Sequence, residues 1–327
     1  MSIVEAADWQ GGIAAASLVA SPVGAPILLS DGGELGGLSA DALDQLDPRG
    51  SSQTAGRQVF AIGDGAQPDG RETLEVKGAS PAALAAEIES LRQRLAGDPE
   101  HVVVTTSKDA EIAMPAAAWA ARSGDPVLFA DGDEVPKPTL EALKELKNIP
   151  VYVLGPESAI SRKAFDQLSK LGAPVERVGA EDPVENAVAF ARYTDDSFGW
   201  NINDPGHGFV IAATSRPADA AAAAPLSASG TWGPLLVNDD PEKLAPALRG
   251  YLLDLKPGYT DDPTRALYNH LWLIGDPSAI SVAVQAELDE IAELAPVRSG
   301  TGGPSGSSGG PAPSESEPTS QGQGDNK

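Results

Sequence analysis

The sequence predicts an α/β protein built from three tandem modules, each a doubly wound parallel sheet, and three observations carry that reading. Leu154-Gly155-Pro156-Glu157-Ser158-Ala159-Ile160-Ser161 recurs as Ile274-Gly275-Asp276-Pro277-Ser278-Ala279-Ile280-Ser281, each time after a short apolar run and before an amphipathic stretch. Asp109 is followed six residues later by Pro115, and Asp219 six residues later by Pro225, with Asp8 at the corresponding place near the start. Pro26-Ile27-Leu28-Leu29-Ser30-Asp31 is matched by Pro126-Val127-Leu128-Phe129-Ala130-Asp131 and by Pro234-Leu235-Leu236-Val237-Asn238-Asp239. Self-similarity at a spacing of roughly a hundred residues marks a repeat architecture.

The elements follow in order. Ser2-Ile3-Val4-Glu5-Ala6 reads as a strand leading to Asp8, and Pro26 to Leu29 as the next, within a first module assigned to residues 1–72. That module lacks the opening strand and helix of the other two. The second, residues 73–174, opens with the strand Thr73 to Val76, then a helix from Pro81 to Leu95. Ser80 is a fitting N-cap, and proline suits a first helical position because its missing N–H would have no partner there. His101 to Thr105 is a β-branched strand, Asp109 to Ala121 an alanine-rich helix, and Pro126 to Ala130 a strand. A helix from Pro138 to Leu146, the strand Val151 to Leu154 and a helix from Ser161 to Leu171 complete it.

The third module, residues 175–298, copies this order from the strand Val175 to Val178, the helix Pro183 to Tyr193 and the strand Phe209 to Ala212. Strands alternating with helices of this length imply parallel βαβ units with right-handed crossovers. The fold expected is therefore Rossmann-like, with the modules docked in pseudo-threefold symmetry and the alanine-rich helices packed closely on the sheet or on a neighbouring module. Residues 299–327, rich in Gly, Ser and Pro without apolar periodicity, are expected to be a disordered tail.

Composition excludes several functions. A net charge of −24, from 47 acidic against 23 basic residues, argues against nucleic acid, whose phosphates need clustered Lys and Arg. The absence of cysteine removes disulfides, thiolate metal sites and cysteine nucleophiles. His101, His207 and His270 lie in separate segments without metal-ligand spacing, so neither a metal nor a histidine-based catalytic site is expected. Ser161 and Ser281 precede helices, which fits capping and not nucleophilic attack. Gly32-Gly33-Glu34-Leu35-Gly36-Gly37 departs from the G-x-G-x-x-G spacing, so no dinucleotide cofactor is expected.

No apolar run is long enough to span a bilayer. Read literally from Met1 the chain is cytoplasmic. Because Ser2 already lies inside the first repeat, we expect instead an upstream secretion signal and a location at the cell envelope.

Several segments resemble the cell wall-binding repeat 2 modules of Gram-positive surface proteins. Ser215-Arg216-Pro217-Ala218-Asp219 through Pro225-Leu226 resembles the family's "SGxxxADALAAAPLA" segment, and Gly233-Pro234-Leu235-Leu236 its "GAPILL" strand. Val151 to Gly155 with Ala159-Ile160-Ser161 resembles "VYILGGxxAIS", and Val175 to Asp182 resembles the opening "VxRIxGxDR". The chain departs at Pro156 and Asp276, where a second glycine is usual, and at Ala14, where the other repeats have proline. The resemblance implies noncatalytic binding of an anionic cell-wall polymer or glycan and attachment to the envelope. The modules are expected to pack within one chain, as a monomer.

Open parallel sheets bind ligands beyond the C-terminal ends of their strands. The candidate ligand-binding residues are those that recur there: Asp8, Asp109 and Asp219; the rim residues Asp31, Asp131 and Asp239; and the strand-end glycines Gly63, Gly155 and Gly275, with Arg216. Each Asp also fits a helix N-cap. So acidic a protein repels a polyanion at long range, leaving local amides, Arg162, Arg177 and Arg216, or bridging cations to reverse the field. A neutral glycan avoids the conflict. The competing reading is a soluble receptor or enzyme with a pocket between modules, which should concentrate unlike polar residues in one place.

Overall fold

Short strands that are apolar on both faces need helices on both sides, and the computed structural model, which describes residues 1–229 and 233–297, shows that arrangement. The tail expected over residues 299–327 lies outside the described residues.

The first sheet contains β1 (Ser2–Glu5), β2 (Ile27–Ser30), β3 (Val59–Ile62) and β4 (Thr73–Val76), in the order β2-β1-β3-β4 and parallel throughout. The second has β5 (Val102–Thr105), β6 (Val127–Phe129), β7 (Val151–Leu154) and β8 (Val175–Val178), in the equivalent order β6-β5-β7-β8. The third contains β9 (Gly208–Ala213), β10 (Leu235–Asn238) and β12 (His270–Ile274), in the order β10-β9-β12. Between the last two, β11 (Gly258–Tyr259) pairs with the terminal β13 (Ala295–Pro296).

Sheet and sequence repeat are offset by one strand. Thr73 to Val76 and Val175 to Val178, which open the second and third repeats in sequence, pair with β3 and β7 and so complete the preceding sheets. The boundaries drawn at residues 72 and 174 each fall between two hydrogen-bonded strands. Apolarity marks such a segment as a strand, but only tertiary structure chooses its neighbour.

The helices are α1 (Trp9–Ala15), α2 (Gly37–Leu46), α3 (Pro81–Ala96), α4 (Ala110–Ala113), α5 (Pro115–Ser123), α6 (Lys137–Glu145), α7 (Arg162–Ser169), α8 (Pro183–Arg192), α9 (Ala218–Ala228), α10 (Pro246–Asp254) and α11 (Val282–Ala292). The one helix expected from Asp109 to Ala121 is split at Met114 into α4 and α5, because Pro115 has no N–H to continue the ladder. Ser80, Ser161 and Ser281 cap α3, α7 and α11 through the amides of Ala83, Ala164 and Val284, as their positions suggested.

The alanine-rich helices α1, α5 and α9 pack on one another. The approach is close: a Cβ placed on Gly12 would stand 2.8 Å from that of Ala221. Ala116, Ala117, Ala118, Ala120, Ala121, Ala220, Ala221 and Ala224 are fully buried, in one apolar core that runs through all three sheets. Helix α3 packs on α1, β6 and α6, and α8 packs on β10 and α10. Each opening helix therefore bridges two sheets.

Candidate functional site

All ten candidate residues fall at the C-terminal ends of the sheets, but the three ends are built differently.

In the first module Asp8 caps α1, accepting from the Gly11 amide at 2.8 Å. Gly63, with φ +59°, lies so close that a Cβ there would stand 2.8 Å from Asp8 Oδ2. A cleft of about 430 Å³ opens over these two residues between the ends of β1, β3 and β4, with Glu5, Gln10, Asp64, Lys77 and Ser80 on its walls. Burial, countered by the Gly11 amide and reinforced by Asp64, raises the Asp8 carboxyl above its ordinary range. Lys77 is engaged by Glu75 at 2.6 Å. The walls are therefore dominated by hydrogen-bond acceptors. Beside the cleft, Glu5 accepts from the amides of Gly32 (2.6 Å) and Gly33 (3.2 Å) and from the Ser30 hydroxyl. The glycine turn after Asp31 thus wraps a carboxylate of the protein itself, while Asp31 stays exposed.

At the end of the second sheet the equivalent space is closed by side chains of β8 and α8, the strand and helix that open the third repeat. Arg177 donates to the carbonyls of Gly155 (2.7 Å) and Ile160 (2.6 Å). Asn186 donates to Ile112 O at 3.1 Å and accepts from the Ala180 amide at 3.3 Å. Gly155, at φ +131°, sits on Ile112, whose Cγ2 would be 2.8 Å from a Cβ. Asp131 is also used internally: it accepts from the Thr106 hydroxyl and from the amide and hydroxyl of Ser107 at 2.6 to 2.8 Å. Asp109 stands at the N-cap of α4 without a side-chain capping bond. The Glu111 carboxyl is raised by burial and by the nearby charges of Asp109, Asp239 and Asp182.

In the third module Arg216 lies between Asp219 (3.2 Å) and Asp276 (3.1 Å). Gly275, at φ +122°, faces this pair, with Arg216 Nη1 3.5 Å and Asp219 Oδ2 3.8 Å from where its Cβ would be. Hydrogen bonds from Ser278, with Arg216 adding to them, pull the Asp276 carboxyl down to about 2. Asp239 is exposed at the rim, and the neighbouring Asn238 is the residue that pins the loop, through Asp240 O, Lys243 O and the Ala245 amide.

Structure thus brings together Asp8 with Gly63, and Arg216 with Asp219 and Gly275. Asp31, Asp109 and Asp239 stand apart. The three arginines held in reserve to attract an anion are engaged, Arg162 with Asp166, Arg177 with carbonyls and Arg216 with carboxylates. Glu5, Lys77 and Asn186 were missing from the expected set, and only Lys77, at the end of an opening strand, carried a signal that could have found it. Among the described residues no group of three or more His, Asp or Glu is placed to hold a metal ion, and no helix is long and apolar enough to cross a membrane.

Parallel sheets coupled by alanine-rich helices define a class of repeat-built α/β modules. Residues 76–165 match the family model of cell wall binding domain 2 (CWB2), the family whose motifs the sequence resembles. The fold is similar to that of Cwp6 from Clostridium difficile, with a TM-score of 0.66 and 18% identity over 88% of this chain and 43% of that one. It is also similar to Cwp8 from Clostridium difficile, with a TM-score of 0.65 and 20% identity over 89% of this chain and 47% of that one. The chain spans less than half the length of either solved structure. Comparison with curated proteins gives no match.

Proposed function

We propose that this protein is a noncatalytic binding protein of the cell envelope that engages a wall glycan chiefly through the strand-end cleft of its first module. Three modules, divided near residues 72 and 174 in sequence and offset by one strand in structure, form its frame. The observation that carries the reading is the CWB2 match over residues 76–165, and the cleft of about 430 Å³ supports its location. Glu5, Asp8 and Asp64 offer carboxylates, which accept hydrogen bonds from sugar hydroxyls and repel phosphate. With Lys77, the cation lining the cleft, already engaged by Glu75, a glycan fits this surface better than a bare polyanion, which would need a bridging cation. Secretion and envelope localisation follow from this reading.

Co-sedimentation of the protein with Gram-positive cell walls, before and after removal of their anionic polymers, tests it. Retention by both preparations is expected. Ala79→Trp, which plugs the exposed cleft wall, should reduce retention at least tenfold with an unchanged melting temperature. Loss of binding on stripping would replace the glycan by the anionic polymer, and absence of binding to either preparation would overturn the proposal.

The competing receptor reading has one observation in its favour. A cavity of about 340 Å³ at the start of β5 is lined by Glu100, His101, Asp125, Trp119 and Trp200, unlike polar residues gathered in one place. A ligand held there would change tryptophan fluorescence without altering wall retention.

A further inference from the structure

The N-terminal end of the second sheet holds a shell of side chains that the other repeats do without. Aligned on Pro26, Pro126 and Pro234, Asp125 stands where they have Ala25 and Gly233. Aligned on Ala14, Pro115 and Pro225, Trp119 stands where they have Leu18 and Ser229. Asp125 is 1% exposed and gathers donors: the His101 amide at 3.0 Å, the Trp119 indole N–H at 2.8 Å and the His101 ring through Nδ1 at 3.4 Å. Its own amide donates to the Ser123 hydroxyl at 3.0 Å. The fold is built twice without this network, so the network answers to something besides folding.

The carboxylate fixes the imidazole. With Nδ1 turned to Asp125, a neutral His101 carries its proton there and keeps Nε2 as an acceptor. His101 is 6% exposed, and Nε2 has no hydrogen-bond partner among the described residues. Buried polar side-chain atoms are nearly always satisfied, so an unmet acceptor at this depth points to a missing donor. Tyr152 and Phe198 cover the ring edge-on, with centroids 5.6 and 5.5 Å away, and the remaining neighbour is the cavity of about 340 Å³ that His101 lines with Trp119 and Trp200. Those two indoles meet at 83° with centroids 5.4 Å apart. The loop carrying Gly199 and Trp200 is pinned by Asp195, which accepts from the amides of Ser197 (3.1 Å) and Phe198 (2.9 Å) and from the Tyr152 hydroxyl. Walls held in place before binding lower the ordering cost of a ligand.

We propose that this cavity is a second ligand site, for one neutral sugar ring, free or at the end of a glycan. His101 Nε2 accepts from a sugar hydroxyl, and Trp119 and Trp200 pack on the ring's carbon face. Charges of both signs line the cavity, Glu100 and Asp125 against Arg122, so neither a bare anion nor a bare cation is favoured there. A hydroxylated ring supplies the donor that Nε2 lacks and apolar C–H groups for the indoles, whose bodies are apolar. The volume lies near the small end of the range for small-molecule pockets, about 300 to 1,000 Å³, which suits a single ring. The site rests on the receptor reading and is independent of wall retention, because it sits at the N-terminal end of the second sheet and the cleft at the C-terminal end of the first.

The test titrates the full chain with glucose, galactose, N-acetylglucosamine and oligosaccharides released from Gram-positive walls, following the indole N–H NMR signals of Trp119 and Trp200, assigned with Trp119→Phe and Trp200→Phe. A saturable shift of both signals with at least one of these sugars is expected. Glu100→Phe, which fills the cavity from its exposed side, should remove the shifts with an unchanged melting temperature. His101→Phe, which keeps the ring but removes the acceptor, should weaken binding about tenfold. Ala79→Trp, which plugs the first-module cleft, should leave the shifts in place, so failure of the wall-binding reading and failure of this site are separate results. A monosaccharide that binds as tightly as the oligosaccharides marks a free sugar as the occupant, and tighter binding of the oligosaccharides marks a glycan end; both uphold the site. No saturable shift with any of the four probes, or shifts that survive Glu100→Phe, would overturn it.

Discussion

The strand ends of the first and second modules share one topology and have opposite fates. Aligned on Pro81 and Pro183, Leu84 occupies the position of Asn186 and Glu75 that of Arg177. In the second module the amide and the guanidinium tie Ile112, Ala180, Gly155 and Ile160 into a closed plug. In the first, an apolar side chain and a carboxylate leave the cleft open, and the chain after Gly63 runs to β4 with no helix between them. Two side chains and the segment that follows the strand together separate plug from cleft.

Substitutions can break that contrast. The largest effect is expected from Gly179→Ala, because Gly179 has φ +140° and an added Cβ would stand 2.2 Å from Asn186 Oδ1. Backbone strain and overpacking together should cost about 3 kcal/mol, read as a lower denaturant midpoint. Arg177→Met, which keeps the aliphatic stem but leaves two carbonyls without their donor, should cost about 2 kcal/mol while wall retention of the folded protein stays unchanged. Gly63→Ala would press on the movable Asp8 side chain and reach ordinary contact with Leu84 at 3.4 Å; strain at its positive φ should cost about 1 kcal/mol, and displacement of Asp8 should lower wall retention severalfold. Equal losses of retention from Arg177→Met and Gly63→Ala would erase the distinction between plug and cleft.

The smallest expected effect lies at the other end of the second sheet. The hydrogen bond that the His101 ring donates to the Asp125 carboxylate raises the His101 pKa above its ordinary 6.5, against the opposing effect of burial. A raised folded-state value means that this contribution is complete below the unfolded-state pKa and is lost as pH rises through the folded-state pKa. Stability measured across that window should fall with pH, and His101→Gln should flatten the slope.

Much of this was legible in the sequence. The strand runs after Pro26, Pro126 and Pro234, the serine caps and the family motifs all depend on neighbours within a few residues, and they lie where local chemistry puts them. What escaped were partnerships over distance. Glu5 meets Gly32 and Gly33 only after β1 and β2 pair, and Asn186 reaches Ile112 across 74 positions of chain. The recurrence of Asp8, Asp109 and Asp219 suggested three equal sites. Their surroundings make one a cap beside a cleft, one an acidic residue without a capping bond, and one half of an arginine ion pair.

The one-strand offset between repeat and sheet puts the unit that a duplicated gene segment copies out of phase with the unit that folds. Each copied segment begins by finishing its predecessor's sheet, so a newly added copy is joined to the array as soon as its first strand forms. Swapping or deleting such segments at the borders of the sequence repeat exchanges whole interfaces together with the modules they join. Cutting after the fourth strand instead leaves a complete sheet on one side and keeps the helix that covers the next sheet with that sheet on the other.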